Sequence, residues 1–299
     1  VKSALITGSA GFVGRHMVAE LRARGWDVGM CDVAHSDAPG DDALFVFREH
    51  HVRQYDLVVH AAATAPHRAA IDGQPMNLAR DLMLDAAMFE WAVRTHQRRV
   101  LYLSSSAVYP VQFQDGAEDW RLHETNTVSP LGIMPDAAYG WTKLTGERMA
   151  AAANASGVAV HVVRPFSGYG EDQADRWPFG AFLSRAKRRE DPFRIWGSGQ
   201  QVRDWIHIDD VVAGALAIVE ADVREPVNLC TGVGTSMVDL AMMVCAEAGY
   251  EPRFSTDQGA PAGVAYRVGD PGRLHDIYRP RIGLDEGVAR AFQHATAWR

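Results

Sequence analysis

Short apolar runs alternate along the chain with stretches whose apolar residues recur every three to four positions. Ala4, Leu5 and Ile6 form the first run; it breaks into glycines and resumes as Phe12, Val13, Met17, Val18 and Leu21, the spacing of one helix face. The alternation continues with a strand at Leu57, Val58 and Val59, a helix over 77–95, a strand over 100–103, a helix over 138–154 and a strand over 158–163. Strands that alternate with helices in this way predict an α/β fold, a Rossmann-type doubly wound parallel sheet with helices on both faces. The interval between Asp32 and Leu57 is short, and Ala43, Leu44, Phe45 and Val46 are the candidate for a stunted third strand there. From about Arg164 the elements shorten and Pro165, Gly168, Gly170, Pro178 and Gly180 punctuate the chain. The large domain is therefore placed at 1–164 and a smaller lobe mainly at 165–299.

The glycine break is itself informative. Gly8 permits a tight turn after the first strand, Gly11 lets backbone N–H groups approach a pyrophosphate, and Gly14 lets the helix pack closely on the strand. Asp32 ends the second strand eighteen residues after Gly14, close to the spacing of a carboxylate that binds an adenosine ribose. A 2'-phosphate about 4 Å from that carboxylate would meet repulsion of roughly 4 kcal/mol at an effective dielectric near 20, so NAD is expected rather than NADP. With a third strand at 43–46, Asp41 or Asp42 is placed to reach the adenine.

Tyr139 and Lys143 lie four residues apart, on one face of a predicted helix, where an ammonium ion lowers the pKa of a phenol. A free tyrosine must come down by roughly 3 units, about 4 kcal/mol, to act as a base near neutral pH. Ser104, Ser105 and Ser106 end the strand before that helix and offer hydroxyls to an oxygen whose charge changes during reaction.

These segments resemble the extended short-chain dehydrogenase/reductase superfamily, in particular its NAD-dependent epimerase/dehydratase family of sugar-nucleotide enzymes. The resemblance runs nearly end to end, through His60 to Ala63, Asn77, Arg164 to Gly170, Gly197 to Gly199, Arg203 to Asp210 and Asn228 to Gly232. It implies that the lobe is discontinuous, with 203–220 returning to the large domain. It implies catalytic roles for Ser105, Tyr139 and Lys143, Ser105 being the serine four residues before Tyr109. The cofactor, NAD, is then held by Gly8, Gly11, Phe12, Val13, Gly14, Asp32, Ala61, Ala62, Ala63, Tyr139, Lys143 and Pro165. The substrate, a nucleotide sugar, is held by Ser105, Ser106, Ser167, Trp196 and Arg203, with Arg203 on the diphosphate and Trp196 beside the base; Arg267, Arg273, Arg279 and Arg281 are further phosphate candidates.

Within that family, dehydratases carry Asp-Glu after the catalytic serine and sugar-acid decarboxylases a glutamate at the second position; here the residues are Ser106 and Ala107. The resemblance therefore favours a C4 epimerase of an NDP-hexose, working through a transient 4-keto sugar. The alternatives are a 4,6-dehydratase, a 4-keto reductase, a 3,5-epimerase or a non-catalytic NAD-binding protein. Ser167 in place of the family's asparagine, and Arg176 to Phe179 where the sugar pocket is shaped, set the chain apart from well-matched members.

Composition narrows the partners. The 299 residues carry a formal charge of -7 and no basic block, which argues against nucleic acid. Cys31, Cys230 and Cys245 are widely spaced in apolar contexts, so they read as buried hydrophobes in a reduced cytoplasm; no metal-ligand grouping is present. No apolar run is long enough to span a membrane. The resemblance implies a homodimer through the helices over 77–95 and 138–154, and Leu78, Leu82, Leu84, Met88 and Trp91 give the first of them more apolar surface than one face needs.

Overall fold

The computed structural model describes residues 1–299 except 37, 49–51, 64–75, 117–119, 128–131, 133 and 297–299. Its centre is a six-stranded parallel sheet of order β2-β1-β3-β4-β5-β9. The strands are β1 (Ser3–Thr7), β2 (Asp27–Cys31), β3 (Leu57–His60), β4 (Arg99–Leu103), β5 (Ala159–Pro165) and β9 (Val227–Leu229). One face is covered by α1 (Phe12–Ala23) and α6 (Ile208–Glu220), whose Met17, Leu21, Val211 and Ala215 share a core with Ile6, Leu101 and Val163. The other is covered by α2 (Ala43–Arg48), α3 (Asn77–Arg94) and α4 (Ala137–Ala155), with Phe47, Met88, Trp91 and Ala150 packed on Val58, Val100 and Val160. Strands buried on both faces are continuous apolar runs, as β3 and β4 are.

The segment expected as a third strand is helix α2. Asp42 accepts the Leu44 N–H at 2.9 Å as an N-terminal cap, and Ala43 and Phe47, one turn apart, are buried while Phe45 is exposed. A four-residue apolar run fits either element, and the cap together with the burial of Phe47 selected the helix. His60 to Ala63 accordingly follows the third strand of the sheet.

Most of the remaining chain forms a second layer of structure: β6 (Ser167–Tyr169), α5 (Pro178–Lys187), β7 (Phe193–Trp196), β8 (Val202–His207), β10 (Gly234–Ser236), α7 (Met237–Glu247), β11 (Phe254–Asp257), β12 (Tyr266–Arg267) and α9 (Leu284–Thr296), whereas α8 (Gly272–His275) packs on β9 and places Leu274 in the first core. β8 pairs with β6, β10 and β12, and β7 pairs with β11. Its core of Tyr169, Phe179, Phe193, Trp205, Leu240, Val244 and Val288 is separate from the two cores of the large sheet. Val108, Tyr109, Leu122, Leu144, Phe166 and Cys230 form a small cluster between them. Among the described residues no helix is long and apolar enough to cross a membrane.

Candidate active site

β1 has β2 on one side and β3 on the other, so the chain reverses direction across the sheet at the end of β1. Ligands bind open α/β sheets at such a switch point. There Gly8 adopts φ +70°, and a Cβ on it would stand 2.5 Å from the backbone of Ala61 and Ala62. A Cβ on Gly14 would stand 2.0 Å from the Gly8 carbonyl oxygen, so the helix and turn touch backbone to backbone. The helix N-cap, Gly11, supplies no side-chain cap and the first turn of α1 has no acid, which leaves its N–H groups to an anion. Phe12 and Val13 are the half-buried first residues of that turn.

Asp32 stands beside the turn and helps to build it: Oδ2 accepts the Ala10 N–H and Oδ1 the Ala34 N–H, each at 2.9 Å. Asp41 is engaged by the Ser36 hydroxyl, and Asp42 caps α2. The glycine turn, the uncapped helix end and the acid beside them fit a dinucleotide.

The three serines are sorted by their surroundings. Ser104 is buried and donates to Glu147 Oε1 at 2.5 Å. Ser106 is 5% exposed and begins a short 3₁₀ turn, Ser106–Val108. Ser105 alone keeps partial exposure; its Oγ accepts the Ala107 N–H at 3.1 Å, which leaves its own proton to donate. This turn is clamped to α4. Asp136 N–H donates to the Ala107 carbonyl at 2.9 Å, and a Cβ on Gly140 would stand 2.2 Å from that same oxygen. Tyr139, half-buried in the first turn of α4, is thereby held next to the serine turn.

Lys143 is one turn further along α4 and 4% exposed. Burial pushes its pKa down, but Asp85, Tyr139, Asp81 and Glu147 push it up, and it ends above the usual lysine value. Tyr139 and Lys143 thus stand one turn apart on α4, against which the turn that follows Ser105 is clamped through the Ala107 carbonyl. Asp85, which faces this lysine from α3, went unnoticed in the sequence; the signal was there, because Asp81 and Asp85 occupy the same helical stripe as Met88 and Ala92.

The substrate candidates lie in the second layer. Ser167 is half-buried on β6, and Trp196, 46% exposed, ends β7. Pro165 ends β5 against Leu229. Arg203, on β8, donates to the carbonyls of Val202 at 2.8 Å and Ala262 at 3.2 Å. Asp204 is held by Thr231, Gly232 and Gly269. Arg267 stands in register with Arg203 and is committed to Asp136 at 2.7 Å and Gln114 at 2.5 Å, so it fastens β12 to the start of α4. Arg273 donates to the Pro226 carbonyl at 2.5 Å.

The model of the NAD dependent epimerase/dehydratase family matches residues 4–230. The chain belongs to that family. Among curated relatives it is 28% identical to a dTDP-4-dehydro-6-deoxy-D-allose reductase of Streptomyces bikiniensis, over 99% of this chain and 97% of that protein. Its fold matches the UDP-glucose 4-epimerase of Thermus thermophilus in complex with NAD, with a TM-score of 0.83, 21% identity and 98% of each chain covered. It also matches MoeE5 in complex with UDP-glucuronic acid and NAD, with a TM-score of 0.82, 26% identity and coverage of 99% of this chain and 100% of that one. The cofactor of this family member is NAD.

Proposed function

We propose that this chain is a nucleotide-sugar 4-epimerase, which inverts C4 of an NDP-hexose through a transient 4-keto sugar. The observation that supports the reading is the clamp between the serine turn and α4, which ties the Ala107 carbonyl to Asp136 and Gly140 at the start of the helix that carries Tyr139, while the two positions after Ser105 are Ser106 and Ala107, both buried and neither an acid. By the resemblance, dehydratases of the family carry the acid–base pair for elimination of water at those two positions, whereas epimerisation at C4 needs no such pair.

NAD, when bound, supplies the acceptor and donor of hydride. Gly8, Gly11, Phe12, Val13 and Gly14 would hold its pyrophosphate, Asp32 its adenosine ribose, and Ala61, Ala62, Ala63 and Pro165 the walls beside it. Tyr139 takes the proton of the C4 hydroxyl and returns it after the keto sugar has turned over. Ser105 donates its hydroxyl proton to the same oxygen and stabilises its changing charge. Lys143 keeps a positive charge next to Tyr139, which favours the phenolate. Arg203 offers a guanidinium to the diphosphate, Trp196 a ring to the base, and Ser106 and Ser167 line the sugar side. The same reading makes the enzyme cytoplasmic and a homodimer through α3 and α4; the exposure of Met83 and Trp141 on these helices supports the dimer.

A second reading, a 4-keto-sugar reductase, is favoured by the likeness to the Streptomyces bikiniensis reductase. One experiment separates the two: incubation with NAD or NADH and a panel of UDP-, dTDP-, GDP- and CDP-sugars and their 4-keto derivatives, with products read by mass spectrometry and NMR. Unchanged mass with inverted C4 and no net consumption of cofactor is the result expected. Stoichiometric oxidation of NADH instead makes the chain a reductase, and loss of water makes it a dehydratase.

A further inference from the structure

Behind Lys143 lies a layer of polar groups that the proposed reaction does not use. Asp85, on α3, is 1% exposed, and its two oxygens are occupied separately: Tyr102 donates its hydroxyl to Oδ2 at 2.5 Å, and His60 Nε2 lies 3.1 Å from Oδ1. His60 Nδ1 is 2.8 Å from Thr7 Oγ1, at the last position of β1. With Nε2–H donated to the carboxylate, Nδ1 accepts and the threonine hydroxyl donates. Tyr102 turns its ring towards Lys143, whose Nζ stands 5.0 Å from the ring centroid. Gly146 makes room for this, since a Cβ there would stand 1.9 Å from the Tyr102 hydroxyl and 2.9 Å from Asp85 Oδ2. A hydrogen-bonded chain therefore runs from the strand that carries the glycine turn to the residues beneath the lysine.

A buried ammonium ion loses its hydration, and that loss is large unless an anion offsets it. The titratable groups that face Lys143 are Asp81 and Asp85 from α3, Tyr139 and Glu147 from α4, Tyr102 from β4 and His60 from β3 behind Asp85. Glu147 is already paired with Arg164, 2.7 Å away. Burial pushes the Asp85 carboxyl up, yet Lys143 and the bonds from His60 and Tyr102 hold it below the usual carboxylate range. Asp85 and Lys143 meet on the Tyr102 side chain, whose hydroxyl binds Asp85 Oδ2 at 2.5 Å and whose ring centroid lies 5.0 Å from Lys143 Nζ, and the Asp85 charge favours protonated Lys143.

We propose that Asp85 is a positioning residue: gripped by Tyr102 and His60, it is the counter-charge that keeps Lys143 an ammonium ion beside Tyr139. The proposal rests on the reading of Tyr139 and Lys143 as the catalytic pair, and not on which sugar is converted. Neutralising Asp85 removes an anion that offsets the desolvation of Lys143, which then gives up its proton more easily and supports the phenolate of Tyr139 less.

The test is a pH titration of the NAD-loaded protein by tyrosinate absorbance, with the Tyr139 signal isolated by subtracting Tyr139→Phe in the same background. Asp85→Asn is expected to raise the Tyr139 midpoint by about one pH unit or more, matched by a roughly tenfold fall in kcat at neutral pH with KM changed less than about twofold. In a Lys143→Met background the same substitution is expected to leave the midpoint in place, because the effect passes through the lysine. Should Asp85→Asn not fold, Asp85→Ser removes the charge and keeps a hydroxyl for Tyr102 and His60. An unchanged or lowered midpoint, or a rise that persists without Lys143, overturns the proposal. The titration needs no sugar, so a protein that inverts no nucleotide sugar still reports on Asp85, and a failed turnover assay counts against the reaction alone.

Discussion

Glu147 and Arg164 meet in a two-pronged ion pair beneath the serine run: Arg164 Nε donates to Oε1 at 2.8 Å and Nη2 to Oε2 at 2.7 Å, with the side chains 6% and 3% exposed. The remaining Arg164 nitrogen donates to the Tyr109 hydroxyl at 3.0 Å and the Glu124 carbonyl at 2.9 Å, while Tyr109 donates to Asn228 at 2.6 Å. This pair therefore joins α4, β5, the serine turn and β9. Arg164→Met leaves Glu147 buried without its partner, a change that costs about 3–5 kcal/mol. Urea unfolding should show that loss, and a midpoint close to wild type would mean that the pair is not a main support of the junction.

Tyr139→Phe removes the proposed base and leaves the ring. Turnover of the nucleotide sugar is expected to fall about 10²–10⁴-fold. The thermal midpoint should match wild type, because Tyr139 is a half-buried residue outside the core clusters. Retention of more than a tenth of the activity would assign the base to another group.

Asp32 sets the cofactor preference in this reading. With the carboxylate beside a 2'-phosphate, repulsion of about 1–4 kcal/mol, depending on the effective dielectric, separates NAD from NADP. Isothermal titration calorimetry should find NADP weaker by a factor of ten or more. Asp32→Asn should narrow the gap, and equal affinity in the wild type would remove Asp32 from this role.

His161 introduces a pH dependence of stability. The ring is fully buried on β5; burial pushes its pKa below the usual imidazole value, against the opposing bond of 2.7 Å to the Val223 carbonyl. The unfolded chain thus takes up a proton at higher pH than the folded one, so stability is present above about pH 6.5 and falls as the pH drops from there towards the folded-state pKa. Urea midpoints at neutral and mildly acid pH should show this decline, and His161→Leu should make it shallower by the part His161 contributes.

The proposed dimer buries Met83 on α3 and Trp141 on α4, which are 47% and 46% exposed in the single chain. Trp141→Glu is expected to shift the protein from dimer to monomer in sedimentation velocity. A wild type that is monomeric at micromolar concentration would remove the interface altogether.

What the sequence determined by itself was whatever depends on neighbours along the chain. The strand, glycine turn and helix at Ala4 to Leu21 were legible because Gly14 answers to the backbone of Gly8 and Ser9 a few residues before it and the flanking apolar spacing is local, and Tyr139 and Lys143 because helical spacing alone puts them on one face. Local pattern failed at Ala43 to Val46, where a cap from Asp42 and the burial of Phe47 decided between two elements that the apolar run allowed equally. The rest only tertiary structure decided. The sixth strand, Val227–Leu229, is three residues long and acquires its place by pairing with β5. The resemblance pointed to Ser105, and the fold supplies the physical distinction, since Glu147 takes Ser104 and Ser106 is buried. Asp85 reads as an ordinary acid on an amphipathic helix until the sheet brings Tyr102 and His60 against it from two other strands. Charge in a buried site takes its meaning from its partners, and those partners come together only when distant segments fold onto one another.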